Sequence, residues 1–111
     1  MILDDDEKIL CFLNKIFSKH NAVDCAQSVD DAKEKIINKD YDVLISDIMV
    51  GSKSGIEVYK DFKNKLKFVF ITDDAIGKEE FDFFQKENII VLLKPFGIKE
   101  IITAIDKTLS R

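Results

Sequence analysis

The feature that most limits how this chain can fold is an alternation of short apolar runs with longer amphipathic stretches. Runs rich in β-branched or aromatic residues occur at Met1–Leu3, Ala22–Ala26, Val43–Ile45, Phe68–Ile71 and Ile89–Leu93. Between them, apolar residues recur at helical spacing. Ile9, Leu10, Leu13, Ile16 and Phe17 share one face, as do Ala32/Ile36/Ile37, Val58/Tyr59/Phe62, Phe81/Phe84 and Ile98/Ile101/Ile102/Ile105/Leu109. The order βαβαβαβαβα predicts an α/β fold, a parallel five-stranded sheet with helices on both faces. Val43–Ile45 and Phe68–Ile71 are apolar throughout, as strands covered on both faces require. Asp5 or Asp6 is placed to cap the first helix, Asp30 the second and Ser54 the third. In the fourth amphipathic stretch Phe81 and Phe84 suit the core, whereas Phe83 points elsewhere and is free to meet a partner.

With 111 residues the chain makes a single domain, 1–111, able to bury a core without staples. Its net charge of −4 and the lack of a basic stripe argue against direct nucleic-acid binding. No apolar run approaches the length of a membrane span, and the acidic N-terminus lacks a signal-peptide pattern. A cytoplasmic location is the expectation. Cys11 and Cys25 fall in periodic apolar segments and are expected to be buried, reduced thiols. With a lone His20, expected on the surface at a helix end, they cannot form a zinc site of the usual kind.

The chemistry collects where the strands end. Asp4, Asp5 and Asp6 follow the first run, Ser46 and Asp47 the third, Thr72 the fourth, and Lys94 with Pro95 the fifth. In a parallel sheet all carboxyl ends share one edge, and that edge is where open α/β folds place ligands. Any one of these residues alone is explained by a cap or a turn. Four strands delivering carboxylates, a hydroxyl and an ammonium to one edge are not. Close carboxylates repel unless their pKa values rise or a cation sits among them, and an all-oxygen set suits Mg²⁺. Thr72 and Lys94 supply further donors for a phosphoryl group, and an Asp can accept that group as an acyl phosphate.

These residues, in order along the whole chain, resemble the response-regulator receiver family. The segments that carry the resemblance are Leu3-Asp4-Asp5-Asp6-Glu7, Tyr41-Asp42-Val43-Leu44-Ile45-Ser46-Asp47-Ile48-Met49, Gly55-Ile56-Glu57-Val58, Ile71-Thr72 and Lys94-Pro95-Phe96. Gly55 stands eight residues after Asp47, and Thr72 stands 22 before Lys94, as in the family. The resemblance implies a flavodoxin-like (βα)5 three-layer sandwich with strand order 2-1-3-4-5. It implies Asp47 as phosphoacceptor, Asp5 as direct Mg²⁺ ligand, Asp4 as its partner acting largely through water, and the Met49 backbone carbonyl as a further ligand. Thr72 would hydrogen-bond the phosphoryl group and Lys94 would pair with it. The working acidic pair is Asp4–Asp5 or Asp5–Asp6. Asp4–Asp5 is preferred because Asp4 directly follows the strand and Asp6-Glu7 suits a first helical turn.

The family also implies a sensor histidine kinase or phosphotransfer protein as donor. Its output is a downstream protein target met through the fourth helix, fifth strand and fifth helix. The chain itself is then no enzyme but a phosphoacceptor that assists only its own phosphorylation and dephosphorylation. No output domain follows the last helix, as expected of a stand-alone receiver or one excised from a longer chain. Three departures stand out. Val50-Gly51 replaces a loop proline, Asp73 stands where a small residue usually follows Thr72, and Val91 stands where an aromatic switch residue is common. Asp73 either repels an incoming phosphodonor or points to solvent. Two other readings stay open, a pseudo-receiver that binds proteins without being phosphorylated and a flavodoxin-like cofactor binder. The acidic first loop disfavours the second.

Overall fold

The computed structural model describes residues Met1–Arg111. Five strands, β1 (Ile2–Leu3), β2 (Cys25–Ala26), β3 (Val43–Asp47), β4 (Lys67–Thr72) and β5 (Ile90–Leu93), form one sheet. All neighbours are parallel, in the order β2-β1-β3-β4-β5. The helices are α1 (Glu7–Phe17), α2 (Val29–Asn38), α3 (Gly55–Phe62), α4 (Lys78–Lys86) and α5 (Ile98–Leu109). This is the expected flavodoxin-like topology. β2 is the main shortfall: of the run Ala22–Ala26 only its last two residues pair with β1.

The sheet divides the core in two because successive strand residues face opposite ways. Leu3, Leu44, Phe68 and Phe70 pack with Ala32, Ile36, Val58 and Phe84 from α2, α3 and α4. Ile2, Ile45, Val69 and Ile71 pack with Leu10, Leu13, Ile101 and Ile105 from α1 and α5. No helix is long and apolar enough to cross a membrane.

The caps follow the sequence in two helices of three. Asp6 caps α1 by accepting from the Lys8 amide, and Ser54 caps α3 by accepting from the Ile56 amide. The second cap is Ser28, which accepts from the Asp31 amide, and not Asp30. Burial of Val29 at the first helical position starts α2 earlier, so Asp30 lies within its first turn and pairs with Lys53. Cys11 is exposed on α1 and Cys25 half-buried, so the expectation of two buried thiols fails; both are free. His20 is exposed, as expected.

In α4 the aromatic assignment is reversed. Phe84 is buried, but Phe81 is 48 % exposed, and Phe83 is the residue that packs inward, edge-on against Tyr59. Helical geometry explains this. Phe83 meets the Tyr59 ring of α3 and Glu87, one turn on, accepts from the Tyr59 hydroxyl, so this face turns inward and Phe81 falls on its outer flank.

The only two tyrosines, Tyr41 and Tyr59, donate to Asp24 and Glu87 respectively. Partial burial, reinforced by these carboxylate partners, pushes both phenols up to about 12. A folded-state pKa above the unfolded one means the stabilisation is full below about pH 10 and lost as pH rises through about 12. Phenolate absorbance of the folded protein is therefore expected to appear near 12, and that of the urea-unfolded chain near 10. Coincident curves would contradict both hydrogen bonds.

Candidate acceptor and metal site

Register brings the strand ends together. Leu3 lies beside Ser46, Asp47 beside Ile71, and Thr72 beside Leu93, so Asp4, Asp47, Thr72 and Lys94 arrive at one edge. Carboxylate oxygens of Asp4, Asp5 and Asp47 lie within 4.8 Å of one another. Asp6 is not among them, because its side chain caps α1. Asp4 is completely buried, Asp47 is 9 % exposed and Asp5 is exposed.

Lys94 binds this cluster from inside. Its Nζ donates to Asp4 Oδ2 and Asp47 Oδ2, both at 3.0 Å. Burial works against the ammonium, but the hydrogen bonds to Asp4 and Asp47 outweigh it and hold Lys94 above its ordinary range. Asp4 goes the other way for a carboxylate. Burial raises it, and the bonds from the Asp6 amide and Lys94 only partly offset this. The two directions are compatible: Lys94 keeps its proton, and Asp4 is the carboxylate most in need of further positive charge. One ammonium against three carboxylates leaves negative charge uncompensated, and every available donor is a hard oxygen. The set therefore fits a divalent cation such as Mg²⁺.

The loop after β3 is shaped for this edge. Met49–Val50 and Lys53–Ser54 pair as a short antiparallel ribbon, with Gly51 in the left-handed region at φ 62°. Glycine carries that conformation without steric cost. Buried Val50 and a hydrogen bond from the Gly51 amide to Asp5 Oδ2 (3.0 Å) do the bracing expected of the missing proline. Met49 follows Asp47 by two residues and lines the same cleft.

Thr72 is buried, and its hydroxyl bridges the backbone of Asp74. Val91 pairs in register with Phe70 and packs into the core on the α3–α4 side, with no hydroxyl or ring to couple to Thr72. Asp73 is exposed at the mouth of the site yet stays within ion-pair range of Lys94. Its Oδ2 is 3.9 Å from Lys94 Nζ. The cleft, about 260 Å³, is lined by Asp5, Asp47, Thr72, Asp73, Asp74 and Glu80 together with apolar residues.

The sequence matches the family described as "Response regulator receiver domain" over residues 1–106. The chain belongs to the response regulator receiver family. Among curated relatives, this receiver domain is 30 % identical to the heme response regulator HssR of Staphylococcus saprophyticus, with 100 % of this chain covering 51 % of that protein. It is 27 % identical to the transcriptional regulatory protein ResD of Bacillus subtilis, with 100 % covering 48 %. The chain thus spans about half the length of the curated relatives it matches. A CheY-like receiver domain from Methanospirillum hungatei superposes with a TM-score of 0.85 at 24 % identity, over 98 % of this chain and 90 % of that one. A Burkholderia pseudomallei response regulator, solved with a phosphorylated aspartic acid and a calcium ion, gives 0.81 at 20 % identity, over 98 % and 66 %. The low identity of both structures makes them evidence of the fold.

The receiver's acidic edge was legible because its carboxylates fall within two residues of the end of an apolar run. Two contributors carry no such signal. Gly51 enters through its backbone amide, and the need for Gly55 arises from a contact across the loop.

Proposed function

We propose that this receiver domain accepts a phosphoryl group on Asp47 in a Mg²⁺-dependent reaction and thereby switches a protein-binding surface in two-component signalling. The observation that carries this reading is the convergence of the Asp4, Asp5 and Asp47 carboxylates against the buried ammonium of Lys94. Asp4, Asp5, Asp47 and the Met49 backbone carbonyl would hold Mg²⁺. When bound, the ion neutralises the carboxylates and withdraws charge from the phosphoryl oxygens. An Asp47 carboxylate oxygen attacks phosphorus, the bond to the donor breaks, and the leaving group departs with its electron pair. Lys94 balances charge on the new acyl phosphate, and the Thr72 hydroxyl donates to it. The chain is then substrate and catalyst of its own modification and acts on nothing else. The aspartic acid phosphorylated in the Burkholderia relative supports the same chemistry on this fold.

The donor in this reading is a phosphohistidine on a sensor kinase or phosphotransfer protein in the cytoplasm. The output is a protein target on the α4–β5–α5 face, where Phe81, Leu93, Ile98 and Ile102 are exposed. With Val91 in place of the usual aromatic switch residue, this reading carries the response by backbone and helix shifts. A pseudo-receiver is the second reading, favoured by the contact of Asp73 with Lys94. Incubation with radiolabelled acetyl phosphate and Mg²⁺ separates them. The expected label is labile to hydroxylamine, as an acyl phosphate must be. A hydroxylamine-stable label would place the group elsewhere, and no label together with no Mg²⁺ binding would favour the pseudo-receiver.

A further inference from the structure

We infer that Asp73 is a specificity-determining residue that makes the acceptor site discriminate among phosphodonors by charge, disfavouring small dianionic ones; this rests on the reading of Asp47 as acceptor. Asp73 directly follows Thr72 at the end of β4. Its carboxylate approaches the same ammonium, Lys94 Nζ, that holds Asp4 and Asp47. The Lys94 side chain is 9 % exposed and that of Asp73 is 73 % exposed, so Asp73 stands on the solvent side of the pair.

A phosphoryl group bound for Asp47 needs the charge of Lys94 and enters a cleft whose lining residues include no basic one. Asp5, Asp47, Asp74 and Glu80 also line that cleft, but of the carboxylates outside the Asp4–Asp5–Asp47 cluster Asp73 alone pairs with Lys94. Asp73 therefore acts twice against an anionic donor. It offsets the one side-chain cation placed to attract the phosphoryl group, and it repels the group's oxygens directly. Repulsion scales with the donor's charge, so a dianion is penalised more than a monoanion. The reaction itself is unchanged. An Asp47 oxygen forms the new bond to phosphorus while the bond to acetate or ammonia breaks, and the leaving group takes the electron pair.

The test compares initial rates of Asp47-dependent phosphorylation of the full chain by acetyl phosphate, a dianion near neutral pH, and phosphoramidate, a net monoanion, at saturating Mg²⁺. Asp73→Asn, isosteric and uncharged, is expected to speed transfer from acetyl phosphate on the order of three- to ten-fold and from phosphoramidate clearly less. Added salt shrinks the difference, and Asp73→Glu keeps the wild-type preference. Equal acceleration with both donors, or none with acetyl phosphate, would overturn the inference. Absence of Asp47-dependent label from wild type and variant alike would instead bring down the acceptor reading, and the role of Asp73 with it.

Discussion

Gly55→Ala is expected to destabilise the domain by about 3 kcal/mol, at the upper end of what overpacking costs. At an ordinary first helical position this change is mildly favourable, since alanine restricts the unfolded chain and suits a helix. Here a Cβ would lie 2.3 Å from the Asp47 carbonyl oxygen and 2.4 Å from Ser46 Oγ. Neither atom is free to retreat. The carbonyl belongs to β3, and Ser46 Oγ donates to it at 2.7 Å from a fully buried position. Gly55 also donates its own amide to the Ile48 carbonyl at 2.6 Å, so moving α3 outward breaks a backbone bond. Urea unfolding of the two proteins measures the difference. A midpoint equal to or above wild type would show that the close approach is not real.

Lys94→Met is expected to cost about 2–4 kcal/mol at neutral pH without divalent cation, and distinctly less in acid. The methionine stem fills the same space, so the loss is chiefly that of the ammonium between Asp4 and Asp47. Burial already raises the carboxyl of Asp4, and without Lys94 it rises further. A group whose folded pKa exceeds its unfolded value of about 3.9 costs nothing while both states are protonated. Its penalty grows as pH rises through the folded pKa. The gap between wild type and variant should therefore be smallest near pH ~4 and widen toward neutrality. A gap that stays constant over that range, or is absent at neutral pH, would contradict the pairing of Lys94 with buried Asp4.

Much of this was legible along the chain, for identifiable reasons. Strand and helix periodicity are local signals. Phe68, Val69, Phe70 and Ile71 form one apolar run because the sheet is covered on both faces, and the structure sends alternate residues to its two cores. The shared edge of Asp4, Asp47, Thr72 and Lys94 is legible because a parallel sheet turns the ends of separate runs into one edge. What stayed hidden depends on contacts between distant segments. Phe81 and Phe83 exchange places because Tyr59, on another helix, sets the inner face of α4. Ser28 displaces Asp30 as a cap because Val29 is drawn into the core. Asp4 rather than Asp6 joins the carboxylate cluster because α1 starts at Glu7 and uses Asp6 as its cap. The approach of Asp73 to Lys94 joins residues 21 positions apart, a contact no local pattern carries.

The measurement that bears most directly on the acceptor role of Asp47 is intact mass. Wild type and Asp47→Ala would each be incubated with acetyl phosphate, with Mg²⁺ and without it. The expected result is one added phosphoryl group on the wild type in the presence of Mg²⁺ and none in the other three cases. Equal addition to Asp47→Ala, or none to a wild type that demonstrably binds Mg²⁺, would contradict it.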